Sequence, residues 1–123
     1  MKPARTILLV VLTFGLGYTA AAQKDFVRVN SKEAPPRPGA PYNQGVMVGN
    51  LIWLSGNIGQ DPLTQKVSPD FATEARQSIK NLEAVLKAAD LSLADVLKTN
   101  VYVTDVAKYD AFNAIYTELM PKP

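Results

Sequence analysis

Between positions 71 and 89 the apolar residues Phe71, Ala75, Ile79, Leu82, Val85, Leu86 and Ala89 recur at spacings of three and four. Arg76, Lys80, Glu83 and Lys87 fall outside that register. The period lines one face of a long α-helix with apolar groups and leaves the charges on the other side. Asp70 stands where the helix wants an N-cap acceptor, and Glu74 follows where a negative charge suits the helix dipole. A helix with one apolar face must be covered by a second layer, so the rest of the chain has to supply one.

The flanking sequence reads mostly as strands. Phe26-Val27-Arg28-Val29-Asn30 alternates apolar and polar, as a half-buried strand does. Pro35, Pro36 and Pro38 cannot donate backbone hydrogen bonds, and Gly39 follows, so residues 33–41 form an extended connection outside any sheet. Val46-Met47-Val48, Gly49-Asn50 and Leu51-Ile52-Trp53-Leu54 predict a β-hairpin with a tight turn at Gly49-Asn50, since both turn residues tolerate positive φ. The second arm is apolar on both faces, which suits an interior strand. After a loop over 55–68 and the long helix, residues 96–103 predict a further strand with Leu97, Thr99, Val101 and Val103 on one face. A second helix starts near Asp105, puts Tyr109, Phe112, Asn113, Tyr116 and Met120 on one face, and is stopped by Pro121 and Pro123. The order β-ββ-α-β-α implies an α+β domain, a mixed sheet with two helices on one face.

With 123 residues there is room for one domain, and the first 22 do not belong to it. Lys2 and Arg5 precede an uncharged apolar run over 7–16, and Ala20-Ala21-Ala22 offers the small residues that a signal peptidase needs. We expect residues 1–22 to be a cleaved export signal and 23–123 a single domain starting at Gln23, periplasmic or secreted and free of the membrane after cleavage. The apolar run is shorter than the roughly 20 residues that span a bilayer, which weighs against an uncleaved anchor. A domain of about 100 residues has a large surface for its volume, so oligomerisation would help its stability.

Composition narrows the chemistry. Lys2 and Arg5 are two of the thirteen basic residues, and the remaining eleven balance eleven acidic ones, so the domain has no basic stripe and no nucleic-acid partner is expected. There is no cysteine and no histidine. This excludes a disulfide framework, a thiol nucleophile, a Ser-His-Asp triad and His-ligated zinc. Carboxylates, hydroxyls, amides, guanidinium groups and backbone dipoles remain, and no cofactor or metal is expected.

Four segments in order, Ala40-Pro41-Tyr42-Asn43-Gln44-Gly45, Leu54-Ser55-Gly56-Asn57-Ile58, Ala75-Arg76-Gln77-Ser78 and Lys98-Thr99-Asn100-Val101-Tyr102-Val103-Thr104-Asp105, resemble the RidA/YjgF family of reactive-intermediate deaminases. The resemblance runs over residues 29–116. It implies a chorismate-mutase-like α+β fold, a homotrimer with a site at each subunit interface, and hydrolysis of enamines and 2-imino acids to 2-oxo acids and ammonia. Asn57 stands where the family usually has Gln, and Asp90 where it often has a Gly that ends the first helix in left-handed backbone. The resemblance also implies a Pro-Ala-Arg-Ser/Thr segment after the second helix, then two strands and an acidic residue. The sequence stops at Pro121-Lys122-Pro123. On this expectation the last two strands, the family arginine and the glutamate are missing from this chain, and the domain is incomplete at its C-terminus.

The resemblance implies catalytic roles for Tyr42, Ser55 and Asn113 and substrate binding by Gly56 and Ile58. Tyr42 has a second reading as a loop aromatic that caps the core. Ser55-Gly56 by itself is only a turn signal. Asn113, between Phe112 and Tyr116 on an apolar face, is either a substrate contact or a tie for a neighbouring loop, because a buried amide needs partners. Asn100 and Tyr102 belong either to a trimer interface or to a covered sheet face. Arg76 reads as a solvated charge on the polar helix face, and Arg37 as a surface group near Tyr42.

Two functions compete. One is an exported imine deaminase. The other is a non-catalytic RidA-fold protein outside the cytoplasm that binds small metabolites or protects unfolding proteins. Export favours the second slightly, because the pyridoxal-phosphate chemistry that releases enamines is mostly cytoplasmic. A third reading places the true translation start later, so that the signal is not part of the protein.

Overall fold

The computed structural model describes residues 25–36 and 38–122. The expected export signal and Arg37 lie outside the described residues. Three strands, β1 (Phe26–Val29), β2 (Gly45–Val48) and β3 (Leu51–Leu54), precede two helices, α1 (Phe71–Lys87) and α2 (Tyr109–Leu119). Short 3₁₀ turns occupy Leu93–Asp95 and Val106–Lys108.

The strands pair in the order β1-β2-β3 and both pairings are antiparallel. Val48 faces Leu51 across the hairpin, so Gly49-Asn50 is a two-residue turn, as the sequence predicts. Positive φ is confined to Gly49, at 59°, and Asn50 does not share it. That places the glycine at the first central position, the pattern of a type II′ rather than a type I′ turn.

Helix α1 forms where its periodicity puts it. The Asp70 carboxylate accepts from the Thr73 backbone N–H at 2.8 Å and from the Thr73 hydroxyl at 2.7 Å, so the expected N-cap is in place. At the other end Leu91 N–H donates to Leu86 O at 3.0 Å and Asp90 N–H to Lys87 O at 3.1 Å, with Asp90 at φ 57°. These two bonds are a Schellman motif, and Asp90 holds the left-handed position usually given to glycine.

Two small cores form along α1. Val29, Ala34 and Val85 pack with Met47, Ile52 and Leu54 where the sheet crosses the helix. Ala75, Ile79 and Ile115 pack with Leu93, Phe112, Tyr116 and Leu119 where α2 lies against it. Fully burying a side chain such as Val85 is worth roughly 1.5–3 kcal/mol, so these contacts account for much of what holds the layers together.

Three expectations are corrected. Residues 96–103 form no strand; they run without a ladder partner between the two 3₁₀ turns, and a strand signal becomes a strand only when a neighbour accepts its backbone hydrogen bonds. Consequently the described sheet is antiparallel throughout rather than mixed. Third, β3 is an edge rather than an interior strand. Its Ile52 and Leu54 face α1, while Leu51 and Trp53 are 43% and 68% exposed on the opposite face. A strand apolar on both faces anticipates cover on both, and among the described residues only the inner face has it.

Candidate functional site

The loop before β2 is fixed by amide side chains. Asn30 Oδ1 accepts from Gln44 N–H at 3.0 Å, Gln44 Nε2 donates to Pro35 O at 3.1 Å, and Gln44 Oε1 accepts from Ser31 N–H. This network carries Tyr42 and Asn43 to the end of β3, where Ser55 N–H donates to Gln44 O at 2.9 Å and the Ser55 hydroxyl donates to Asn43 O at 2.7 Å. A carbonyl can only accept, so the Ser55 proton is committed to Asn43 and the Ser55 oxygen keeps its lone pairs for an incoming N–H. Tyr42 is 48% exposed beside this junction, which does not fit a core-capping aromatic.

After Ser55 the chain leaves the sheet. Asn57 Nδ2 donates to Ser55 O at 3.1 Å, Gly56 and Ile58 are exposed, and Gly59 is buried. A Cβ on Gly59 would lie 2.1 Å from Glu74 O, so only glycine fits where the loop crosses the first turns of α1. A Cβ on Gly56 would meet nothing within 4 Å, and its φ is not in the positive range. Nothing within the described chain therefore requires glycine at 56.

Asn113 lies elsewhere. It is exposed rather than buried, and with Thr99, Val101, Val103, Val106, Tyr109, Phe112 and Tyr116 it lines an open cavity of about 440 Å³ between α2 and residues 99–106. Tyr116 closes one end by donating its hydroxyl to Thr99 Oγ1 at 3.0 Å. Of the five expected site residues, Tyr42, Ser55, Gly56 and Ile58 cluster around the end of β3. Asn113 faces a cavity that none of those four lines.

Cations near the chain's apolar surfaces are already engaged. The Arg28 guanidinium sits 5.0 Å from the Phe26 ring centre, and Lys108 Nζ sits 5.8 Å from that of Phe71. Arg76 is not a free solvated charge: its two terminal nitrogens donate to the two Glu118 oxygens at 2.8 and 2.6 Å, a bidentate pair that ties α1 to α2. That bond holds the Glu118 carboxyl below its ordinary value and raises Arg76. Among the described residues no cluster of acidic groups has the geometry of a metal site, and no helix is long and apolar enough to cross a membrane.

One residue that the sequence pattern does not flag is Asn81. It is 1% exposed, in the middle of α1, and its Nδ2 donates to both Ile58 O and Gln60 O at 2.9 Å, while its Oδ1 accepts from Gln77 Nε2 at 2.9 Å. The available signal was an amide four residues before Val85, on the helix stripe that faces inward.

The chain is similar in sequence and in fold to known proteins. The family described as endoribonuclease L-PSP matches residues 32–123. A 2-iminobutanoate/2-iminopropanoate deaminase of Escherichia coli is 42% identical over 88 residues, covering 72% of this chain and 68% of that one. The crystal structure of RidA from an Antarctic Psychrobacter superposes with a TM-score of 0.75 at 33% identity, covering 79% of this chain and 78% of the other. The YjgF gene product of Escherichia coli superposes with a TM-score of 0.72 at 38% identity, covering 79% and 80%. On the family match, the identities and the superpositions together, the chain belongs to the RidA/YjgF family and has its α+β fold.

Proposed function

We propose that this protein hydrolyses 2-imino acids, and the enamines that tautomerise to them, to 2-oxo acids and ammonia. The observation that carries the reading is the 42% identity over 88 residues to a relative named 2-iminobutanoate/2-iminopropanoate deaminase. The chemistry is compatible with a chain that has neither histidine nor cysteine. A protonated imine is already electrophilic at C2, so water needs positioning more than deprotonation by a strong base. Water adds to C2, the nitrogen takes a proton, and ammonia leaves as the carbonyl forms.

In this reading Ser55 is neither nucleophile nor base. Its hydroxyl donates to Asn43 O, and its oxygen accepts the substrate N–H. The exposed Tyr42 hydroxyl orders the attacking water, and the open space at Gly56 leaves its backbone accessible to the substrate. Asn113 joins the site across a subunit boundary. The substrate carboxylate calls for a guanidinium, and among the described residues Arg28 and Arg76 already have partners. We assign that role to an arginine in a Pro-Ala-Arg-Ser/Thr segment following residue 123. The test is to follow 2-iminopropanoate, generated in place, for accelerated conversion to pyruvate; a rate equal to the uncatalysed one for the completed domain would reject the deaminase.

Among the described residues Arg28 and Arg76 both have partners, which favours a second reading, a non-catalytic fold that binds small metabolites. Binding of 2-oxobutanoate without turnover would select it.

The outer sheet face supports a homotrimer. The register puts Phe26, Arg28, Val46, Val48, Leu51 and Trp53 on the side away from α1, where the large apolar members Phe26, Val48, Leu51 and Trp53 are exposed. We also propose that residues 1–22 direct export to the periplasm or beyond and are then removed. Mass spectrometry of the exported protein should find Gln23 at its N-terminus; an intact Met1 form held in the membrane would contradict this.

A further inference from the structure

We infer that Asn81 is the positioning residue that holds the backbone of residues 56–60 in the shape the proposed site needs. The inference rests on the deaminase reading for what that loop does, and on the structure of α1 for what holds it.

Two carbonyl oxygens, Ile58 O and Gln60 O, converge on one atom of the Asn81 side chain at 2.9 Å each. Only an amide nitrogen can satisfy two acceptors, so this atom is Nδ2. The amide is held in that orientation because its oxygen accepts from Gln77 Nε2, one turn earlier on the same helix. The group is 1% exposed, so bulk water does not compete for its bonds. Both bonds are part-buried, so removing the donor leaves two carbonyls without this partner at a cost. Between the two carbonyls lies Gly59, whose missing side chain lets the loop press against Glu74 O. The loop is thus pinned at Ile58 and Gln60 and packed at Gly59, while Gly56 and Ile58 stay exposed. A carboxylate-sized error in the loop would move Gly56 N–H and the Ser55 oxygen relative to each other, and first-contact groups tolerate errors of only about 0.5 Å.

The test uses the full chain with Asn81→Asp, which keeps size and an acceptor for Gln77 but turns the double donor into a carboxylate facing two carbonyls. Hydrogen exchange is measured residue by residue, alongside 2-oxobutanoate affinity by calorimetry. The expected result is exchange faster by about ten-fold or more at the amides of residues 58–61, with amides 83–87 in α1 within about two-fold of the parent and the 2-oxobutanoate Kd raised about ten-fold. Unchanged loop exchange overturns the inference, and so does equal loss through loop and helix, which marks Asn81 as a stability residue only. If Asn81→Asp does not fold, Gln77→Leu leaves Asn81 in place but removes the bond that orients it, and the same loop-selective pattern is expected at about three-fold. The exchange data decide the role of Asn81 by themselves, whereas turnover of 2-iminopropanoate by the completed domain decides the deaminase reading.

Discussion

Two glycines three residues apart do opposite things. Gly59 touches Glu74 so closely that a methyl group has nowhere to go, whereas Gly56 borders open space. Gly59→Ala should therefore cost about 3 kcal/mol, at the upper end of ordinary overpacking, because the obstacle is helix backbone. Gly56→Ala should leave the denaturation midpoint within about 0.5 kcal/mol of the parent while weakening ligand binding. Paired urea titrations and 2-oxobutanoate calorimetry check both, and a Gly56→Ala variant that unfolds early would show that its space is filled. At this scale the sequence was legible where a residue acts on its own neighbours, Asp70 as a cap and Gly49 in the turn, while the left-handed backbone at Asp90 followed only from the family resemblance. It was not legible for Asn81 and Gly59, whose partners lie about twenty and fifteen residues away and leave no local period.

At the scale of elements, α1 and α2 are joined by apolar contacts and by the Arg76–Glu118 pair. Glu118 is lowered from 4.5 chiefly by its hydrogen bond to Arg76, and Asp70 from 3.8 by the Thr73 hydroxyl. Asp95 is lowered from 3.8 by Ser92 N–H and Asp61 by Thr64 N–H. A carboxyl with a depressed folded value binds fewer protons folded than unfolded, so its contribution is complete above the unfolded value and is lost as pH falls through the folded one. With no histidine in the chain, thermal midpoints should be nearly flat from about pH 6 to 8 and fall below about pH 4.5. Glu118→Gln should flatten the acid limb; an unchanged limb would mean that the pair contributes nothing to stability. Helix periodicity was readable because a helix satisfies its own backbone. The strand expected over 96–103 was not, because its period describes side chains while its existence depends on a partner.

At the scale of the whole molecule, a sheet covered by α1 on one side and apolar on the other calls for neighbours. Trp53 is the largest exposed group on that face. If this face is the proposed subunit interface, Trp53→Lys should shift sedimentation toward the monomer; an unchanged sedimentation coefficient would place the interface elsewhere. The apolar outer face was visible in the sequence of β3, but what covers it was not, because one chain's pattern does not name its partner. In the proposed deaminase, Tyr42 and Ser55 lie together at the end of β3, and the substrate carboxylate still requires a guanidinium that Arg28 and Arg76, each with a partner, do not offer. The most direct measurement compares the 123-residue chain with the same chain extended through a Pro-Ala-Arg-Ser/Thr segment and two strands, following freshly generated 2-iminopropanoate. Removing a charge-assisted bidentate contact costs on the order of 2–5 kcal/mol, so the extended form should be faster by roughly 30-fold to 4000-fold. Equal acceleration by both forms would contradict the arginine assignment, and acceleration by neither would leave the protein a binding fold rather than an enzyme.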